Sequence, residues 1–398
     1  MDSKSISTFL LLRLGRGSSF TGYVWWLSLL LWFAMIAPVQ AAIELRVAIE
    51  KNASQVRVGS STVALVRDGA GRVLGQLTPE NGFDAKPGNN GVVLQNQWQA
   101  PQLWIEPTQG GYVWIGDRWY RGRTLLLSTQ QRLTAVNYVD LEQYLYSVLG
   151  SEMSSNWPPE ALKAQAVVAR SYALYQRKKA SDRPYDLGDT TRWQVYTGID
   201  KEALTTQSAV TATAGQVVTY NGNIIEAVFH SSSGGHTENS ENVWVKPLPY
   251  LQGVPDFDQG TPGFQWVKNF SNEELRSKLP GLGKIRTLEV QRQSPFGRVM
   301  SIKVVGDAGA RVMKGDNLRA VLGLRSTLFT ITPQLTSSTG KGSRISPAIF
   351  QLNGRGYGHG LGLSQWGAYN MALMGYNYQQ IVLYYYKGTV LAKAEVQY

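Results

Sequence analysis

Short runs of alternating apolar and polar residues fill the chain from Ile43 to about Tyr138, among them "IELRVAIE", "TVALVRD", "YVWIGDRWYRGRTLLLS" and "LTAVNYV". Alternation of period two, broken by Gly, Pro and Asn, predicts antiparallel strands that each bury one face. The period then changes. Leu141, Tyr144, Leu145, Val148 and Leu149 recur at helical spacing, with Asp140 as N-cap, Gln143 completing the capping pattern and Gly150 as the expected stop. A second helix is predicted from Pro158 to about Lys179, because a fixed φ suits the first turn and Glu160 complements the positive helix end. Six alanines between Ala161 and Ala180 thin its flanks, so another element must pack close. Gln165 shares a stripe with Ala161, Val168 and Tyr172, and reads equally as a satisfied core amide or a site residue.

Further along, "TATAGQVVTYNGN" predicts a strand and a turn, followed by a strand from Ile224 to His230 and the polar loop "SSSGGHTENSENVW". Residues from about Asp256 to Gln334 read as an insert with a short helix in "SNEELRSKL", strands in "RTLEVQRQ" and "RVMSIKVVG", and a capped helix in "KGDNLRAVLGL". Thr336 to Pro347 reads as a hydrophilic linker. Near the C-terminus glycines stand at every second position from Gly354 to Gly362. In an extended chain they would leave one bare face, with Arg355, Tyr357, His359, Leu361 and Leu363 on the other. Two short helices follow, the first from near Ser364 to Gly375. The fold class expected is α+β: a β-rich N-terminal region (42–138), a core in two parts (139–255 and 346–398) whose helical hairpin and antiparallel strands form a cleft, and a smaller inserted α+β subdomain (256–345).

Composition narrows the setting. Lys4, Arg13 and Arg16 precede an uncharged stretch from Tyr23 to Ile36 and then "APVQAA", the pattern of an export signal (1–41) cut between Ala41 and Ala42; an uncleaved anchor is the alternative. Either form places the body outside the cytoplasm, in the periplasm or cell envelope, or secreted. With no cysteine in 398 residues, disulfides, thiolate nucleophiles and cysteine zinc sites are excluded. Loss of residues 1–41, which carry those three basic side chains and Asp2, lowers the formal charge from +11 to about +9. That excess suits an anionic partner or is simply a solvated surface.

All three histidines, His230, His236 and His359, lie in the two glycine-rich segments, which points to a site there. The spacing of His230 and His236, with Glu238 and Glu241 nearby, is compatible with a metal but matches no compact zinc motif. No dinucleotide or phosphate-loop pattern is present, Ser364 in "GLSQW" is not a nucleophile elbow, and no basic-aromatic nucleic-acid motif occurs. Glu152 remains, read here as lying in a loop between the two helices beside Met153 and Trp157. Partial desolvation there would keep its proton, as a general acid requires. The other reading is a carboxylate that caps the next helix or faces solvent.

Four stretches, "YLYSVLGSEMSSNWPPEALKAQAVVARSYAL", "VFHSSSGGHTENSENVW", "NLRAVLGLRSTLF" and "GRGYGHGLGLSQWGAYNMA", resemble the stage II sporulation protein D (SpoIID/LytB domain) family of cell-wall proteins, from about Tyr138 to Gly388. The resemblance implies a peptidoglycan lytic transglycosylase that cuts the β-1,4 bond between N-acetylmuramic acid and N-acetylglucosamine and leaves 1,6-anhydro ends. Glu152 matches the family's catalytic acid, although Ser154 stands where proline is usual. By the same resemblance Gln165, Arg170, Ser171, Tyr172, His230, Ser233, His236, His359, Ser364 and Gln365 bind the glycan. Some relatives hold a metal near the "HSSSGGH" segment with Cys and His. Here His230 and His236 are the only ligands left there, and no cofactor is expected. Implied partners are peptidoglycan strands and a cell-wall amidase, since other relatives are amidase enhancers without catalysis of their own.

Overall fold

The structure is a computed structural model and describes residues 43–244, 246–335 and 347–394. The expected signal and most of the expected linker lie outside these residues. Alternation in the N-terminal half does produce antiparallel sheet. One sheet of seven strands runs in the order Leu187–Gly188, Glu44–Ala53, Arg132–Asp140, Arg123–Thr129, Gln102–Pro107, Ala64–Asp68, Val73–Leu77. A second, of six, runs Arg118–Tyr120, Val113–Ile115, Val56–Ser60, Gly82–Gly88, Gly91–Leu94, Trp98–Ala100. Their inward residues, such as Leu45, Val47, Val58, Val92, Ile105 and Ile115, share one core, so the two sheets stack as a sandwich.

Strand Arg132–Asp140 feeds directly into helix α1 (Leu141–Glu152). Asp140 caps it, its carboxylate accepting from the backbone N–H groups of Glu142 and Gln143. Gly150 does not stop this helix. It is a close-contact residue: a Cβ there would stand 1.8 Å from the Lys201 carbonyl oxygen, so only glycine lets the 3₁₀ turn Gly198–Lys201 press against α1. Glu152 is therefore the last residue of α1 rather than part of a loop.

Helix α2 (Pro159–Lys179) is the axis of the core. Its alanine-thinned flanks are covered by α1, by α3 (Leu204–Ala212), by the strand Gln216–Tyr220 and by two C-terminal helices. The strand expected from Ile224 to His230 is two short pieces: Asn223–Ile224 pairs with Gln216–Tyr220, and Phe229–His230 pairs in parallel with Leu363–Ser364. After α4 (Ser240–Val243), a smaller lobe has its own core of Trp266, Phe270, Leu275, Leu318 and neighbours. It holds two three-stranded sheets with α5 (Asn272–Lys278) and α6 (Gly315–Leu322). The strand Pro347–Arg355 is the middle strand of one of them, with Phe350 and Leu352 in that core. The chain then returns to the main core through α7 (Gln365–Leu373) and α8 (Tyr378–Tyr385), and Val390–Lys393 pairs with Gln216–Tyr220.

Candidate active site

Three segments distant in sequence meet at the end of α1. Glu152 is fixed by a hydrogen bond from the Val195 backbone N–H to its Oε1, 2.8 Å long. Burial pushes its pKa up, and the Val195 N–H and the Gln365 side chain only partly oppose this. The carboxylate also sits at the negative end of a helix dipole, which further disfavours its charge. No described basic side chain forms an ion pair with it, so no cation adds to these two hydrogen bonds in favouring the charged form. Gln365 opens α7, and its amide faces Glu152 while its Nε2 reaches no described partner at hydrogen-bond geometry. Tyr172 also feels this carboxylate: burial first, then Glu226, with Glu152 a smaller contributor, pushes its phenol up to about 12.

The turn after Glu152 and the helix that Gln365 opens meet through an aromatic cluster that the sequence pointed to only through Trp157. Trp157 lies 4.5 Å from Trp366 and 5.0 Å from Tyr369, centroid to centroid, and Trp366 lies 5.3 Å from Tyr369. Trp366 and Tyr369 are on α7, one turn apart, and this (i, i+3) spacing inside "SQWGAYN" is the signal that marked them.

The histidine segments are joined by the parallel pairing of His230 with Ser364. The glycine run between Gly354 and Gly362 is not extended. Gly356, Gly358, Gly360 and Gly362 have φ of 76°, 121°, 84° and 66°, so the side chains between them diverge. Arg355 and Tyr357 face solvent, whereas Leu361 and Leu363 are buried. A Cβ on Gly358 would stand 2.6 Å from that of His230, and one on Gly360 2.2 Å from Arg298 Nη2. The bare backbone thus serves close packing of the two segments.

His230 donates from Nδ1 to the Leu361 carbonyl (3.0 Å), its buried Nε2 has no partner among the described residues, and its ring lies 5.4 Å from that of His359. Burial holds both imidazoles neutral: His230 is driven well below the usual histidine range and His359 down to about 4, with Arg298 and Arg319 contributing to each. His236 stands apart, stacked on Phe296 at 3.8 Å with Nδ1 donating to the Thr237 carbonyl. Among the described residues no group of three or more His, Cys, Asp or Glu side chains is placed to hold a metal ion.

Several expected glycan contacts lie inside the protein. Arg170 is fully buried and makes a two-pronged ion pair with Glu142 (2.6 and 2.8 Å) while donating to the Gln216 carbonyl. Ser171 Oγ donates to the Val167 carbonyl and accepts from the Val218 N–H. Ser233 Oγ donates to Asp256 (2.5 Å). Ser364 caps α7, accepting from the Gly367 N–H, and also meets Asp256. All four are buried, and each already gives its side-chain donors to protein partners, so each helps hold the frame. Gln165 is buried, and neither of its amide atoms has a partner among the described residues. Two residues missed from the sequence organise the "HSSSGGH" loop. Asp258 accepts from Ser232 Oγ and from the N–H groups of Gly234 and Gly235, and Asp256 accepts from Ser233 and Tyr385. The close repeat in "PDFD" was the available signal.

A family model described as stage II sporulation protein matches residues 129–220, and one described as a domain of unknown function matches 249–362, the smaller lobe and its junction. The chain is 33% identical over 280 residues to stage II sporulation protein D of Bacillus subtilis, covering 66% of this chain and 77% of that one. It is 33% identical over 286 residues to an uncharacterized protein of Brachyspira hyodysenteriae, covering 71% and 74%. It is also 29% identical over 290 residues to a Bacillus subtilis protein named amidase enhancer, covering 62% of this chain and 40% of that one. Helix α1 with its terminal acid, α2, and the first strand after α3 all fall within the sporulation-protein match. The chain belongs to the stage II sporulation protein D family.

Proposed function

We propose that the protein is a peptidoglycan lytic transglycosylase in which Glu152 acts as acid and then as base. The observation that carries this reading is a half-buried carboxyl with a raised pKa and no ion pair among the described residues, met by Gln365, whose chain neighbour Trp366 packs with Trp157 and Tyr369. Glu152 gives its proton to the bridging oxygen as the bond from C1 of N-acetylmuramic acid breaks. The 6-hydroxyl oxygen of the same sugar bonds to C1, and its proton passes to the Glu152 carboxylate. One carboxyl is restored and no water enters, so the second carboxylate that hydrolytic glycosidases use is not required. The indole and phenol rings offer flat apolar faces for pyranose stacking.

The alternative, a protein that binds peptidoglycan and enhances an amidase, has the named relative in its favour. Purified protein added alone to peptide-stripped glycan separates the two. Soluble fragments released without any amidase support catalysis; no release, together with faster amidase action on intact wall, overturns it. Among the described residues no helix is long and apolar enough to cross a membrane. Export, a basic wall-adhering surface and an amidase partner belong to the same proposal.

The raised pKa has a sign that can be tested. A carboxyl whose folded-state pKa lies above its unfolded value stabilises the fold while protonated, and that contribution is lost as pH climbs from the ordinary carboxyl value through the raised one. Glu152→Gln lacks the partly desolvated charge and should melt at a higher temperature than wild type at neutral pH, with the gap closing in acid. Thermal melts at both pH values check this; a variant no more stable at neutral pH would contradict it. Cleavage by wild type should likewise fall on the alkaline side at a pH above the ordinary carboxyl range.

A further inference from the structure

The outward face of the six-stranded sheet carries a row of residues with no place in the chemistry of Glu152. Across four neighbouring strands Trp119 stands opposite Trp114, Trp114 opposite Gly59, and Gly59 opposite Gly82. The two indoles meet edge to face with centroids 5.1 Å apart, and neither belongs to the packed core. The row therefore steps down from an aromatic wall to two glycines, Gly59 covered by the Asn81 backbone and Gly82 by the Arg57 side chain. A surface pocket of about 390 Å³ results, lined by Trp114, Trp119, Arg57, Glu80 and Asn81. Burying aromatic side chains stabilises a fold, so two of them left off the core beside a pocket call for a ligand.

The polar groups narrow the ligand. Arg57 lies across the bare strand, its Nε 2.2 Å from where a Gly82 Cβ would stand, and it forms no ion pair with a described residue. Glu80 is held at a φ of 57° and is exposed, as is Asn81. Glu50 Oε1 comes within 2.9 Å of the Cβ position of Gly116, at the same rim. Glu80 shares the pocket lining with Arg57, and Asp84 stands opposite Arg57 in the strand pairing, which disfavours a phosphate or a carboxylate-rich peptide. A guanidinium, a carboxylate and an amide together are matched donors and acceptors for vicinal hydroxyls and an acetamido group. Trp114 Nε1 donates to the Gly116 carbonyl (2.8 Å), which fixes its ring.

We propose that this pocket is a second, non-catalytic binding site for a neutral N-acetylhexosamine unit of a β-linked glycan, which stacks on Trp119 and Trp114. It lies outside the residues that match the sporulation-protein model and does not depend on Glu152 as an acid. Such a site would hold a strand while another part of it is processed, and avidity of two linked sites exceeds either alone.

The test uses the full chain carrying Glu152→Gln, titrated calorimetrically with N-acetylchitohexaose, alone and with Trp119→Ala, Arg57→Ala or Trp366→Ala added. Loss of Trp119 should weaken one class of sites by about tenfold or more. Arg57→Ala should weaken the same class less, and its exposed position spares the fold. Trp366→Ala should leave that class intact. If the catalytic reading alone fails, the class sensitive to Trp119 still remains. Binding unchanged in both Trp119→Ala and Arg57→Ala, or heat only from a stem-peptide fragment, overturns the proposal.

Discussion

Glu152→Gln should slow release of soluble glycan by about 10²- to 10⁴-fold, the usual worth of a positioned general acid. Gln keeps the size of the side chain, and its amide oxygen can still accept from the Val195 N–H that orients Glu152. What it lacks is a proton to give. The measurement is the initial rate of fragment release at matched protein concentration, with circular dichroism showing the same fold. A variant that cleaves at the wild-type rate would leave the aromatic cluster as a binding surface and remove Glu152 from the chemistry.

Arg170→Met should destabilise the fold by about 3 kcal/mol, because removing one partner of a buried pair leaves the other charge uncompensated. Glu142 would lose both guanidinium bonds, and the Gln216 carbonyl would lose its donor. The same carboxylate also accepts from the Gly215 N–H, so the damage would spread to the turn that leads into the strand Gln216–Tyr220. Urea unfolding gives the size of the effect. Cleavage per folded molecule should stay near wild type in mild conditions. A variant of normal stability with weakened glycan binding would instead return Arg170 to the ligand.

Local pattern carried much of this architecture. Asp140 was legible as a cap because a short carboxylate just before an apolar helical stripe has few other uses, and the alternation from Ile43 onward was legible as strands. Gly150 misled because a glycine after a helical run is normally a terminator, and only the approach of Lys201 from a different segment explains why the helix continues through it. The alternating glycines misled for a related reason. Spacing of two implies extension, but the conformations needed to wedge the chain against His230 and Arg298 are left-handed. At the site, Glu152 stood out by residue type and apolar neighbours, whereas Arg170 and Ser171 on the adjacent helix gave no sign of facing inward. Their partners, Glu142, Val167 and Val218, are fixed by packing that a single sequence does not display.

Intramolecular attack by a sugar hydroxyl, rather than by water, distinguishes the proposed chemistry from hydrolysis in the mass of its product. Peptide-stripped glycan digested by wild type should yield fragments that end in 1,6-anhydro-N-acetylmuramic acid, one water lighter than hydrolysed ends, and the Glu152→Gln digest should yield almost none. Fragments from the wild type that end in ordinary reducing sugars, or anhydro ends in equal amount from both proteins, would contradict the account.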